Sequence, residues 1–247
     1  MSELADHAVF LDFDGTLVDI AERPDAIRVA PGLPDLLTAL SSRAGGAVAV
    51  VTGRTVADVD RYLRPALLDI CGLHGLERRV GGTLSRPEGL ADLSSEVAAL
   101  RAAFSRRPGV LVEDKTVGVA LHWRLAPEAE DEAKAAMAAL AGKLGPGYRL
   151  QDGKAVRELV PAASGKGGAI RALMERPPYR GRIPVFVGDD RTDEHGFEAV
   201  NALGGVSVKI GPCPTAATRR LPGTASFRDW LRLWEAGGAS VENLPAA

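Results

Sequence analysis

Cysteine is scarce in this 247-residue chain, which holds only Cys71 and Cys213. They lie far apart with no CxxC partner, which excludes a zinc knuckle and a disulfide framework. Two buried, reduced thiols are expected, and with them a cytoplasmic location. Charge of one sign is also missing: 30 basic and 32 acidic residues leave a net charge of −2. No global basic field recruits nucleic acid or an anionic membrane. Long apolar runs are absent, since stretches such as Ala47–Val51 fall far short of the roughly 18 residues a membrane span needs. The N-terminal stretch has no basic segment followed by an apolar one, so no signal peptide is expected. Lysine is rare, six against 24 arginines, which we read as base-composition bias. What remains, 46% hydrophobic and 25% charged residues, is ordinary globular composition.

Local patterns alternate along the chain. Ala8–Phe13 is a short apolar run halted by Gly15, which predicts a buried strand. A helical pattern follows Pro31-Gly32-Leu33-Pro34 through Leu36, Leu37 and Leu40. Ala47–Val51 predicts a second strand, Val56 to about Arg64 a helix, and Leu67–Cys71 a third strand. Strands without polar interleaving, alternating with helices, indicate a parallel sheet covered on both faces. The middle differs. A hairpin is expected at Arg78–Leu84 around Gly81-Gly82, then a helix at Leu93–Phe104 and strands at Val110–Val112 and Val117–Trp123. An alanine-rich helix at Pro127–Leu144 precedes strands at Tyr148–Gln151 and Ala155–Val160. From Ser164 the first pattern returns, with helices at Gly165–Met174, Thr192–Asn201 and Phe227–Glu235 and strands at Pro184–Val187 and Val206–Ile210. The expected fold is α/β, a doubly wound parallel-sheet (Rossmann-like) core of residues 1–78 and 162–247 with an inserted α+β cap domain at 79–161. The tail from Glu235 to Ala247 is expected to fray.

In an open parallel sheet, ligands bind beyond the carboxyl ends of the strands. Asp12, Asp14, Gly15 and Thr16 follow the first strand, and Thr52, Gly53 and Arg54 follow the second. Gly188, Asp189, Asp190 and Asp193 follow the strand at Pro184–Val187, and Lys166 opens a helix. Each piece alone fits a turn, a helix cap or a solvated lysine. Together they bring several carboxylates, a hydroxyl and an ammonium to one rim. Carboxylates so gathered repel one another unless a cation joins them, and hard oxygen donors suit Mg²⁺. Two other motifs fail. Ser164-Gly165-Lys166-Gly167 lacks the upstream glycine and the following hydroxyl of a P-loop, and Asp189–Glu194 lacks the glycine of a calcium loop.

Asp12-Phe13-Asp14-Gly15-Thr16, Thr52, Lys166 and Gly188-Asp189-Asp190 with Asp193 resemble the four motifs of the haloacid dehalogenase-like phosphatases. The resemblance covers the core pieces and implies Mg²⁺ dependence and an aspartyl-phosphate intermediate. It makes Asp12 the nucleophile and Asp14 the general acid and base, its carbonyl a metal ligand. It has Thr52 and the Gly53 amide hold phosphoryl oxygens, and Lys166 neutralise nucleophile and phosphate. Asp189 completes the metal shell, and Asp190 and Asp193 ligate through water or orient Lys166.

The insert resembles a type-two cap, which closes over such a site and reads the leaving group. Two of its stretches, Val112–Lys115 with His122-Trp123-Arg124 and Gly153–Pro161, together with Gly72–Glu77 at the junction with the core, resemble cap motifs of the trehalose-6-phosphate phosphatases. Trp123 stands where that family is expected to carry tyrosine. The resemblance implies that Glu113, Lys115 and Glu158 bind sugar hydroxyls of trehalose 6-phosphate. Arg54, Arg124, His74 and His122 are further candidates for contacts at the phosphate or sugar edge. It also implies functional coupling to a trehalose-phosphate synthase, while the charge balance and short apolar runs noted above give the expectation of no nucleic-acid or membrane partner. Other readings stay open: a phosphatase of sucrose phosphate, mannosyl-3-phosphoglycerate or a hexose phosphate, a phosphomutase, or a non-catalytic sugar-phosphate-binding module.

Overall fold

A computed structural model describes residues 3–23, 25–63, 68–86, 91–115, 117–162 and 164–247. Its strands in chain order are β1 (His7–Leu11), β2 (Val48–Val51), β3 (Asp69–Gly72), β4 (Glu77–Val80), β5 (Thr83–Ser85), β6 (Leu111–Asp114), β7 (Val119–His122), β8 (Tyr148–Gly153), β9 (Val156–Pro161), β10 (Ile183–Gly188), β11 (Val206–Ile210) and β12 (Arg219–Leu221). The helices are α1 (Leu33–Arg43), α2 (Val56–Leu63), α3 (Ser94–Ala103), α4 (Glu130–Leu144), α5 (Lys166–Met174), α6 (Glu194–Ala202) and α7 (Thr224–Glu235). The chain divides into two compact units, residues 1–86 with 165–247, and residues 87–164.

The first unit holds an eight-stranded sheet in the order β12-β11-β10-β1-β2-β3-β4-β5. All pairings from β12 to β3 are parallel, and β4 and β5 turn antiparallel. The five residues of β1 are all buried, because side chains alternate between two covered faces. Val9 and Leu11 pack with α1, α2 and α7 through Leu37, Val59 and Trp234. Ala8 and Phe10 pack with α5 and α6 through Ile170 and Phe197. The chain leaves β1 for β2 on one side, while β10 lies on the other. This strand-order reversal opens a crevice at the carboxyl end of β1, where doubly wound sheets bind ligands. The register sets the rim: Leu11 pairs with Val50 and with Val187, so Asp12, Thr52 and Asp189 each lie just beyond paired strand ends.

The second unit is a four-stranded antiparallel sheet, β6-β7-β9-β8, with α3 and α4 on one face. Val112, Val119, Leu121 and Leu159 alternate onto that face and pack with Val97, Leu100, Met137 and Leu140. The intervening residues of each strand point to the other face.

The parallel core with an inserted α+β unit agrees with the sequence reading, and three details differ. The hairpin at 78–84 belongs to the large sheet, since β4 pairs with β3 (Ile70 opposite Arg79, Gly72 opposite Glu77). The second unit therefore begins at 87 rather than 79, and it ends at 164 rather than 161. Strand β12 was not expected, because Arg219-Arg220-Leu221 has no apolar run to announce it. The tail does not fray: Val241 and Leu244 are buried, and Arg220 donates its backbone N–H to the Pro245 carbonyl at 2.9 Å. Arg64 and Leu67, expected at the ends of a helix and a strand, lie outside the described residues. No described helix is long and apolar enough to cross a membrane.

Candidate active site

Asp12 leaves the end of β1 with its backbone N–H bonded to the Val187 carbonyl at 2.9 Å, which ties it to β10. Its carboxylate, 4% exposed, accepts from Lys166 Nζ at 2.6 Å and from Thr16 Oγ1 at 3.3 Å. Lys166 is the first residue of α5, and its Nζ also donates to Asp193 Oδ1 at 2.6 Å. The other Asp193 oxygen accepts the backbone N–H groups of Asp189 and Asp190, each at 2.9 Å. Lys166 and Asp12, 154 positions apart in sequence, are thus joined directly.

Asp12, Asp189 and Asp193 each offer a carboxylate oxygen, and these oxygens lie within 4.8 Å of one another. All three residues are buried. Burial pushes the Asp12 carboxyl well above the ordinary range, and Asp193 adds to the shift; Lys166 pulls against both, and Asp189 pushes up again. Burial works against the charge on Lys166, but Asp12 and Asp193 outweigh it and hold the ammonium more firmly protonated than a free lysine. Three carboxylates around one ammonium leave a surplus of buried negative charge. Oxygen-only donors with such a surplus fit a hard divalent cation. Gly15 supports the same fit. Its φ is +82°, and a Cβ there would stand 2.2 Å from Asp189 Oδ2. Only a glycine lets this loop pass so close to the carboxylate.

Asp14 and Asp190 stand apart from this trio. Asp14 turns its carboxylate to Arg54, whose Nε and Nη2 donate to it at 2.7 and 2.8 Å. Arg54 Nη1 donates to Asp58 at 2.7 Å, and the guanidinium lies 5.5 Å from the centres of the Phe13 and Tyr62 rings. Burial opposes the charge of Arg54, yet Asp14 and Asp58 raise its proton affinity above the free value. Asp190 accepts from the backbone N–H of Arg191 at 2.8 Å and caps the turn that leads into α6.

Thr52 is buried and its Oγ1 accepts the Arg54 backbone N–H at 3.2 Å. Its carbonyl accepts the backbone N–H of His74 at 2.9 Å, and the His74 carbonyl accepts that of Gly165 at 2.8 Å. His74, at φ +55°, therefore braces the Thr52 loop against the start of α5. A Cβ on Gly53 would stand 2.8 Å from the His74 ring, so the loop needs glycine there.

In the second unit, strand pairing sets Glu113, Ala120, Glu158 and Gln151 in one row across the sheet. Their neighbours along the strands face the helices, so this row lies on the helix-free face. Lys115 Nζ stands 3.4 Å from Glu113 and 3.5 Å from Glu158, between the two carboxylates. His122 Nε2 lies 2.8 Å from the other Glu113 oxygen. Burial raises the Glu113 carboxyl, but Lys115 and His122 outweigh it and hold it below the usual range. The structure thus gathers Glu113, Lys115 and Glu158. Arg124 donates to the Lys154 carbonyl at 2.7 Å, on the turn between β8 and β9.

A family model described as Trehalose-phosphatase matches residues 10–225. The chain belongs to the trehalose-phosphatase family. It is 45% identical over 221 residues to a protein of Sinorhizobium fredii named as a probable trehalose-phosphate phosphatase, covering 89% of this chain and 83% of that one. It is 39% identical over 234 residues to the trehalose-6-phosphate phosphatase of Escherichia coli, covering 93% and 86%. A crystal structure of a trehalose-6-phosphate phosphatase related protein superimposes with a TM-score of 0.79 at 27% identity, over 93% of this chain and 97% of that one.

For this trehalose-phosphatase family member the motif residues fall where the sequence reading put them, at strand ends and a helix start. Missed were Asp58 and the Phe13 and Tyr62 rings, which complete the seat of Arg54. The i, i+4 spacing of Arg54 and Asp58 was the available signal. In the sequence Glu77 stands out only as part of the junction stretch. Its buried carboxylate accepts the Val56 N–H at 2.6 Å and so anchors the start of α2.

Proposed function

We propose that the chain is a Mg²⁺-dependent phosphatase that hydrolyses trehalose 6-phosphate to trehalose and inorganic phosphate through a phosphorylated aspartate. The observation that carries the proposal is Lys166 bridging Asp12 and Asp193 beside Asp189, in the crevice at the end of β1. Asp12 is the nucleophile: one of its oxygens bonds to phosphorus as the bond from phosphorus to the sugar oxygen breaks. Asp14 gives that leaving oxygen a proton. It then takes one from the water that attacks the phosphoryl group, which frees Asp12 and inorganic phosphate. To do so, Asp14 must release one oxygen from Arg54. Lys166 offsets charge on Asp12 and on the phosphoryl oxygens, and Thr52 and the Gly53 amide donate to those oxygens. Asp12, Asp189 and the Asp14 carbonyl would hold Mg²⁺, which supplies Lewis-acid polarisation and counter-charge when bound. Asp193 orients Lys166 and the Asp189–Asp190 peptides. Asp190 acts through the turn it caps.

Glu113, Lys115 and Glu158 read the sugar. Two carboxylates accept from hydroxyls and the ammonium donates to them. A site that hydrogen-bonds substrate hydroxyls rejects esters that lack them. The reading includes a cytoplasmic location and a metabolic link to a trehalose-phosphate synthase.

The test is phosphate release from trehalose 6-phosphate, sucrose 6-phosphate, mannosyl-3-phosphoglycerate and glucose 6-phosphate, each with Mg²⁺ and with EDTA. EDTA-sensitive preference for trehalose 6-phosphate supports the proposal. Preference for another ester keeps the phosphatase chemistry and discards the sugar assignment. No release from any by the folded protein discards the hydrolase reading.

A further inference from the structure

Lys209 is one of the largest side chains wholly removed from solvent, 2% exposed, and it belongs to none of the motifs. It lies on β11 directly opposite Gly188 of β10, one residue before Asp189. Its Nζ donates to the backbone carbonyl of Asp189 at 2.7 Å. The carboxylate oxygen Glu194 Oε1 is 3.7 Å away, and that oxygen has no hydrogen-bond donor. The Phe197 ring lies 5.9 Å from the ammonium. A buried ammonium is costly to desolvate, yet this one makes its short contact with a neutral carbonyl rather than with the nearby carboxylate.

That carbonyl is half of a pair of restraints. The N–H of Asp189 is bonded to Asp193 Oδ2 at 2.9 Å, and its C=O to Lys209. Both peptide groups of the residue are therefore pinned, one by Asp193 four residues on in the same loop and the other by Lys209 from the neighbouring strand β11. With both peptides fixed, the Cα–Cβ bond of Asp189 has a set direction, and the carboxylate is held against Gly15 and beside Asp12. Glu194 extends the brace, since its Oε2 accepts the Ala216 N–H at 2.7 Å and so anchors the loop that follows β11.

We propose that Lys209 is a positioning residue for the acidic cluster, one that aims the Asp189 carboxylate at the divalent cation by holding the Asp189 carbonyl. The inference rests on the metal reading of Asp12 and Asp189 given above. Charge and position make opposite forecasts when Lys209 is removed. Deleting a positive charge beside an acidic cluster strengthens its pull on a cation. Releasing the Asp189 peptide weakens binding, as loss of a group that orients a metal ligand does, by about 10- to 100-fold.

The experiment is calorimetric titration of MgCl₂ into wild-type protein, Lys209→Met and Lys209→Arg, with the thermal midpoint of each measured in EDTA. Lys209→Met is expected to bind Mg²⁺ at least about tenfold more weakly, and Lys209→Arg, which keeps a donor cation, is expected to recover most of that loss. Should Lys209→Met not fold, Lys209→Gln, whose amide ends one bond short of Nζ, is expected to show the same weakening. Unchanged or tighter Mg²⁺ binding by a folded neutral variant overturns the proposal, whatever its thermal midpoint, because a merely structural lysine alters stability alone. Wild-type protein that takes up no Mg²⁺ overturns the metal reading and this inference with it.

Discussion

Arg54 holds both carboxylate oxygens of Asp14, with donor distances of 2.7 and 2.8 Å. The arginine is 6% exposed and the aspartate 38%, so the pair spans the boundary between the packed sheet and solvent. The planar fork fixes the carboxylate in both direction and tilt. In the resting protein the proposed acid and base is thus parked on a guanidinium that is itself seated by Asp58, Phe13 and Tyr62.

Replacing Arg54 by methionine leaves Asp14 and Asp58 without their shared cation. Breaking such a half-buried pair costs about 2 kcal/mol of stability, which lowers the thermal midpoint by roughly 4–8 °C. Misplacing a general acid costs about 10²-fold in kcat. Calorimetry and steady-state kinetics check the two effects separately. Wild-type kcat in the variant would show that Asp14 needs no such seat.

Gly15→Ala is the most local test of the acidic cluster. The new Cβ would meet Asp189 Oδ2 at 2.2 Å on a backbone with φ +82°, and the carboxylate must move. A displacement near 1 Å costs about 10²-fold in rate. Phosphate release at saturating Mg²⁺ measures it. Undiminished activity would mean that the Asp189 carboxylate is free to shift without consequence.

The strand-end motifs were legible because each occupies a short, contiguous stretch after an apolar run. The row of Glu113, Ala120, Glu158 and Gln151 was not. Glu113 and Glu158 never pair directly; β7 separates them, and only its register makes Ala120 the bridge. The hairpin of β4 and β5 was placed in the insert because a local β-pattern does not say which sheet its outer strand will join. Its bond to β3 is a pairing fact, set by Ile70 opposite Arg79. β12 has three residues, two of them arginine, and its place is fixed by β11 on one side and by the tail on the other. Lys209 looks like any strand lysine until Asp189 is seen beyond its neighbour.

Ala120→Leu tests that row. Ala120 is wholly buried, so a larger side chain between Glu113 and Glu158 must push the surrounding side chains out of place while adding only apolar volume. KM for trehalose 6-phosphate is expected to rise about tenfold, the usual cost of losing one good hydrogen-bonded contact. Hydrolysis of p-nitrophenyl phosphate is expected to stay near wild type. Equal loss on both substrates would place the row outside the reading of the sugar.

The two thiols separate cleanly. Both were expected to be buried, but Cys213 is exposed, on the loop after β11. Cys71 is buried in β3, and burial pushes its thiol up to about 12. At pH 8 it stays protonated and shielded, since the thiolate is the reactive form. A disulfide-exchange reagent is expected to titrate one thiol in the native protein and two in urea. Two rapid equivalents under native conditions would contradict the packing of β3.

Removing residues 239–247 takes away Val241 and Leu244, which are 0% and 8% exposed. Burying each such side chain is worth about 1.5–3 kcal/mol, so the truncated chain is expected to lose roughly 3–6 kcal/mol. Denaturant melts give the figure. An unchanged midpoint would show the tail to be dispensable to the core it covers.

Asp12 is the nucleophile that takes up the phosphoryl group, and rapid acid quench of the enzyme with phosphate-labelled trehalose 6-phosphate tests that most directly. A hydroxylamine-labile label is expected on the peptide that carries Asp12, absent from Asp12→Asn, which keeps its fold and loses turnover. Turnover without any trapped label, together with an active Asp12→Asn variant, would contradict it.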